Sequence, residues 1–106
     1  MFWSVRALCS SVRRENAPSP HHRQGVGYRE WLIAEARRFG LNGWVRNVGR
    51  DTVEALLAGA PQSVEACVRA CWRGPSLAVV EAISTTEAQP PAEPGFIRRD
   101  SVPDRP

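Results

Sequence analysis

The sequence predicts an α+β fold, with two helices laid on one face of an antiparallel sheet. Three observations carry this expectation. Apolar residues recur at helical spacing in two separate stretches, short runs with branched side chains alternate between faces, and glycine or proline punctuates nearly every boundary. Read along the chain, these segments fall in the order strand, helix, strand, strand, helix, strand.

Residues 4–12 form the candidate first strand. Val5, Ala7 and Cys9 alternate with Arg6, Leu8 and Ser10, although Leu8 falls on the polar face. Residues 13–23 are expected to be a loop, because Pro18 and Pro20 do not suit a central strand. Residues 30–39 read as the first helix: Tyr28, Leu32, Ala36 and Phe39 share one face, Arg37 and Arg38 come late, and Gly40 supplies the stop. Residues 41–48 and 52–58 are strands joined at Gly49-Arg50-Asp51, which makes them a hairpin. Pro61 suits the first turn of a second helix over residues 62–73, with Val64, Cys67, Val68, Cys71 and Trp72 as its apolar stripe. Trp44 and Trp72 are expected in the core, and Trp31 against it. After Gly74-Pro75, residues 76–86 read as a strand carrying Val79, Val80 and Ile83. Residues 87–94 read as a loop, residues 95–102 as a short last strand around Phe96-Ile97, and residues 103–106 as a tail. The β-α-β-β-α-β order is the ferredoxin-like split βαβ sandwich. That topology hosts many functions and decides none of them.

Composition bounds the rest. A chain of 106 residues is one small domain. No apolar run approaches a membrane span, so no membrane association is expected. The net charge is +3 and all 14 basic residues are arginine. A mildly basic surface suits an anionic ligand, but no basic stripe with interleaved aromatics argues for nucleic acid. Cys67 and Cys71 sit four apart in a helical pattern, where they read as small core residues. No CxxC pair or histidine cluster completes a zinc site, so neither metal nor cofactor is expected. The chain is expected to be cytoplasmic, reduced and monomeric. His21-His22, Arg37-Arg38 and Arg98-Arg99 read as solvated groups.

The chemistry is concentrated at Gln24-Gly25-Val26-Gly27-Tyr28-Arg29. Two glycines leave a backbone with little side-chain cover, so amide N–H groups can converge on an anion. The following helix presents its positive end, and the Arg29 guanidinium can bind two phosphoryl oxygens at once.

That run resembles the Q-G-V-x-[FY]-R loop of the acylphosphatase family, and Gly43-Trp44-Val45-Arg46-Asn47 resembles its G-W-V-x-N strand. Thr52-Val53-Glu54, Val64-Glu65-Ala66, Gly74-Pro75 and Gly95-Phe96 extend the likeness over residues 24–99. The division it suggests is an N-terminal segment over 1–23, an acylphosphatase-like domain over 24–102 and a tail over 103–106. The resemblance implies hydrolysis of small-molecule acyl phosphates to a carboxylate and inorganic phosphate, without metal or cofactor. Arg29 and the Gln24 to Arg29 run would bind phosphate, and Asn47 would orient the attacking water. An amide side chain suits that task, since it offers a donor and an acceptor without titrating. Two departures stand out. His21, His22 and Arg23 occupy positions where the family has an apolar strand, and Asp51 stands where it commonly has glycine. A catalytically impaired interaction domain is the alternative if the first strand is lost.

Overall fold

A computed structural model of the protein describes residues 3–14, 26–75 and 78–103. Its elements are β1 (Trp3–Ser10), β2 (Arg13–Arg14), α1 (Val26–Arg38), β3 (Asn42–Val48), β4 (Thr52–Gly59), α2 (Pro61–Arg73), β5 (Ala78–Val79), β6 (Ala82–Glu87) and β7 (Phe96–Arg98). Five of the strands form one sheet in the order β6-β1-β4-β3-β7, and β2 pairs with β5 beside it. The β6-β1-β4-β3 part is the expected ferredoxin-like arrangement. β7 adds to the outer edge of β3 in parallel, so the sheet is mixed rather than wholly antiparallel. Among the described residues no helix is long and apolar enough to cross a membrane.

The first strand is present and central. β1 pairs antiparallel with β4 from Trp3↔Gly59 to Cys9↔Val53, and with β6 on its other side. Its alternation is the one expected: Val5, Ala7 and Cys9 are buried while Arg6 is exposed. On the same face lie Val53, Ala55 and Leu57 of β4 and Val45 of β3. They pack with Tyr28, Leu32, Ile33 and Ala36 of α1 and with Val64, Cys67 and Cys71 of α2. This is the helix-covered core. Hydrophobic burial there, at about 25 cal/mol per Å² of apolar surface, is what holds helices and sheet together.

Several boundaries differ from the sequence reading for identifiable reasons. α1 begins at Val26, inside the stretch expected to be a loop. Tyr28, Leu32 and Ala36 are four apart, so burying Tyr28 on the helix stripe draws the first turn into the helix. At its other end Gly40 has φ 72°, and the Leu41 N–H donates to the Ala36 carbonyl oxygen at 2.9 Å, closing a Schellman motif. The single strand expected over 76–86 is broken. Ala78–Val79 turns aside to pair with Arg13–Arg14, itself expected in a loop, and only Ala82–Glu87 joins β1. Trp72 is 49% exposed rather than in the core. Eight residues beyond Val64, it stands about 80° round the helix, on the side away from Cys67.

Asp51 costs the hairpin nothing. The left-handed position of that turn is Gly49, with φ 67°, and the Asp51 carbonyl oxygen accepts from the Val12 N–H at 2.8 Å. Gly43 is where glycine is required. Its φ is 137°, and a Cβ there would overlap the Leu56 carbonyl oxygen.

Candidate active site

α1 and β3 are joined by the tight turn at Gly40 and run antiparallel, so the N-terminus of α1 meets the C-terminal end of β3. From Arg38 back to Arg29 the helix rises about 14 Å. From Asn42 to Asn47 the strand advances about 17 Å. An ion pair fixes the alignment: Arg98 Nη1 meets Glu30 Oε2 at 3.0 Å, and Arg98 stands in register with Val45. Asn47 has the strand parity of Val45 and faces Val53 across β4, which places it on the helix side of the sheet. Arg29 and Asn47 are thus brought to one end of one face.

Gln24 and Gly25 lie outside the described residues, as do His21 and His22. Val26, Gly27, Tyr28 and Arg29 open α1 with its first turn, and the amide N–H groups of the first three precede the point where the intrahelical ladder begins. No acidic side chain sits in that turn, so nothing on the helix competes with an anion for its positive end. Gly27 is exposed, and among the described residues a Cβ there would meet nothing within 4 Å.

Tyr28 contributes its backbone to this turn and its side chain to the core. The hydroxyl donates to the Cys71 carbonyl oxygen at 2.7 Å and lies 3.7 Å from Cys9 Sγ, while the ring sits 5.4 Å from Trp31. Burial pushes the phenol well above its ordinary range, with the two neighbouring thiols adding to the effect. It is a tether between α1 and α2, which positions Arg29 next to it. Arg29 itself is half-buried, with its Nε shielded from solvent.

Asn47 carries the most informative atom. Its Oδ1 is buried and has no hydrogen-bond partner among the described residues. Buried acceptors are nearly always satisfied, so this oxygen has the capacity to accept a hydrogen bond from a ligand or water. Among the described residues no cluster of His, Cys, Asp or Glu could hold a metal ion. Cys9, Cys67 and Cys71 are free and buried, and hydrogen bonding with Cys67, together with burial, pushes Cys71 up to about 12.

Sequence reasoning missed the polar structure on the opposite, helix-free face. Glu54 is only 4% exposed, yet it is saturated: Arg6 Nη1 reaches Oε2 at 3.0 Å and Arg46 reaches Oε1 at 2.8 Å. Arg46 and Arg99 also lie over the Trp44 ring, at 4.9 and 5.2 Å, so Trp44 sits half-buried between guanidinium groups rather than in the core. The available signal was a lone carboxylate inside the apolar run of β4. Nor are Arg37 and Arg98 simply solvated, because Arg37 donates twice to the Phe96 carbonyl oxygen, at 2.9 and 3.2 Å, and Arg98 pairs with Glu30.

By fold the protein is a ferredoxin-like α+β sandwich, with the start of α1 and a buried Asn47 Oδ1, without a partner among the described residues, at one end of its helix-covered face. Comparison with known proteins narrows this. The acylphosphatase family model matches residues 22–97. An acylphosphatase of Acidiphilium cryptum is 57% identical over 76 residues, covering 72% of this chain and 84% of that protein. One of Rhodopseudomonas palustris is 52% identical over 67 residues, covering 63% and 68%. The solved acylphosphatase structure from Coxiella burnetii has a TM-score of 0.76 over 92% of this chain and 93% of that one; at 23% identity it bears on the fold alone. That from Bacillus subtilis has a TM-score of 0.68 at 28% identity, covering 96% and 98%. The chain belongs to the acylphosphatase family, whose members act on small-molecule acyl phosphates.

Proposed function

We propose that this chain hydrolyses the carboxyl–phosphate bond of acyl phosphates at the junction of α1 and β3, with Arg29 and Asn47 as its catalytic residues. The observation that carries this reading is the buried Asn47 Oδ1, without a partner among the described residues, at the end of the sheet that meets the N-terminus of α1. The amides of the Gln24 to Arg29 run and the Arg29 guanidinium bind the phosphoryl oxygens. Asn47 accepts a hydrogen bond from water through Oδ1 and holds its oxygen in line with phosphorus. A carboxylate is a good leaving group, so positioning and charge stabilisation supply the rate without a strong base. The phosphoryl group itself can take the proton that water releases. A cytoplasmic, monomeric protein belongs to the same reading, and three free, buried thiols fit a reducing compartment.

The alternative of an impaired interaction domain depended on a lost first strand. β1 is paired on both sides, which supports the hydrolytic reading over that alternative. Benzoyl phosphate turnover tests the proposal. Arg29→Ala is expected to abolish phosphate inhibition and turnover together, whereas Asn47→Ala suppresses turnover and keeps phosphate inhibition. Wild-type rates in either variant would sink it.

A further inference from the structure

Asn47 is held from its main chain as tightly as its side chain is left open. The Val102 N–H donates to the Asn47 carbonyl oxygen at 3.0 Å, and the Gly49 N–H donates to the Val102 carbonyl oxygen at 2.9 Å. Two residues before Asn47, the Val45 carbonyl oxygen accepts from the Arg99 N–H at 2.8 Å. These three bonds bracket Asn47 on the outer edge of β3. Its inner edge is already fixed by the pairing of Asn47 with Val53.

β7 ends at Arg98, and the chain then rejoins β3 at Val102, beside Val48. The intervening residues depart from strand geometry, so the second contact is not a simple continuation of the first. Arg99 anchors the start of this segment, with its guanidinium against Trp44. Without the segment, β3 would expose unpaired backbone groups at the residue whose side chain needs a fixed orientation. With it, the main chain around Asn47 is hydrogen-bonded on both edges of β3.

We infer that residues 99–102 form a strap that positions the catalytic end of β3, with the Val102 N–H setting the orientation of Asn47. Val102 is a positioning residue and does not touch substrate. The inference rests on the role proposed above for Asn47. Orienting a water in line with phosphorus tolerates little angular error, so loosening the strap lowers turnover more than binding.

The test is a double-mutant cycle on benzoyl phosphate hydrolysis, with near-ultraviolet circular dichroism as the check on folding. Val102→Pro removes the N–H and keeps the carbonyl. It is expected to lower kcat about tenfold while KM and phosphate inhibition stay within about twofold. Val102→Ala keeps the N–H and is expected to stay within about twofold of wild type in kcat. In an Asn47→Ala background, Val102→Pro is expected to cause no further loss, because the group it positions is gone. A folded Val102→Pro protein with wild-type kcat would overturn the inference. So would an equal loss in both backgrounds, which would mark a general structural effect. Wild-type kcat in Asn47→Ala alone would instead overturn the role of Asn47. Should Val102→Pro not fold, the chain ending at Asp100 removes both Val102 bonds and is read by the same cycle.

Discussion

Glu54 and Asn47 are polar residues on adjacent strands, with buried oxygen atoms that the fold treats in opposite ways. Glu54 faces the helix-free side of the sheet and has an arginine on each carboxylate oxygen. Asn47 faces the helix side and keeps its Oδ1 without a partner among the described residues. Burying a polar group is tolerated when its hydrogen bonds are remade, and costly when they are not. A saturated group therefore serves the fold. Under the role proposed for Asn47, an acceptor left without a partner among the described residues serves a ligand. This contrast separates stability from activity in a way that substitutions can break.

The largest effect is expected at Arg29. Arg29→Ala should lower kcat/KM for benzoyl phosphate by about a thousandfold, since it removes the charge proposed to bind the phosphoryl oxygens. Asn47→Ala should lower kcat about a hundredfold. It should change the midpoint of urea unfolding little, because the Oδ1 it removes has no partner among the described residues. Glu54→Ala reverses the pattern. It should cost about 2 kcal/mol in urea unfolding, with kcat near wild type. That is below the ~3–5 kcal/mol of a fully buried pair, because Arg6 is about half exposed and regains water. If Glu54→Ala abolished turnover without destabilising, the division between the two faces would fail.

Tyr28 sharpens the comparison from the helix side. Tyr28→Phe should cost about 1 kcal/mol, the value of one buried hydrogen bond to Cys71. It should also change the pH dependence of stability. Tyr28, Cys9 and Cys71 are all pushed up in the folded protein, so the native state stays protonated while the unfolded chain releases protons from about pH 8.5–10. The contribution is fully present below that range and is lost progressively as pH rises from it toward the raised values of the folded protein. Thermal unfolding followed from pH 7 to 11 should show this loss, with a shallower slope for Tyr28→Phe. The smallest effect is expected at Trp72, where Trp72→Ala on an exposed helix flank should change stability by less than about 0.5 kcal/mol.

Most of the fold was legible because its signals are local. The stripe of Leu32 and Ala36, the hairpin turn at Gly49, and the Pro61 and Gly74 boundaries each follow from a few neighbouring residues. What was not legible depends on distant partners. The fate of Ala78–Val79 is decided by Arg13–Arg14, and the burial of Glu54 by arginines on two other strands. β1 is the instructive case. It lies outside residues 22–97, where the family model matches, and the departures at His21 to Arg23 left its role open. Its alternation was visible, but only pairing with β4 and β6 makes it the central strand. The site was half legible in the same sense. Arg29 and the glycine run were read from their own chemistry and Asn47 from a resemblance, while the unpartnered Oδ1 and the main-chain grip on Asn47 are properties of the folded chain alone.

The central claim is that the unsatisfied Asn47 oxygen exists to hold the attacking water. Its most direct test is kcat for benzoyl phosphate and the inhibition constant of inorganic phosphate, measured together on Asn47→Ala. The account predicts that kcat falls about a hundredfold while the inhibition constant stays within about twofold. Equal losses in both, or no loss in kcat, would contradict it.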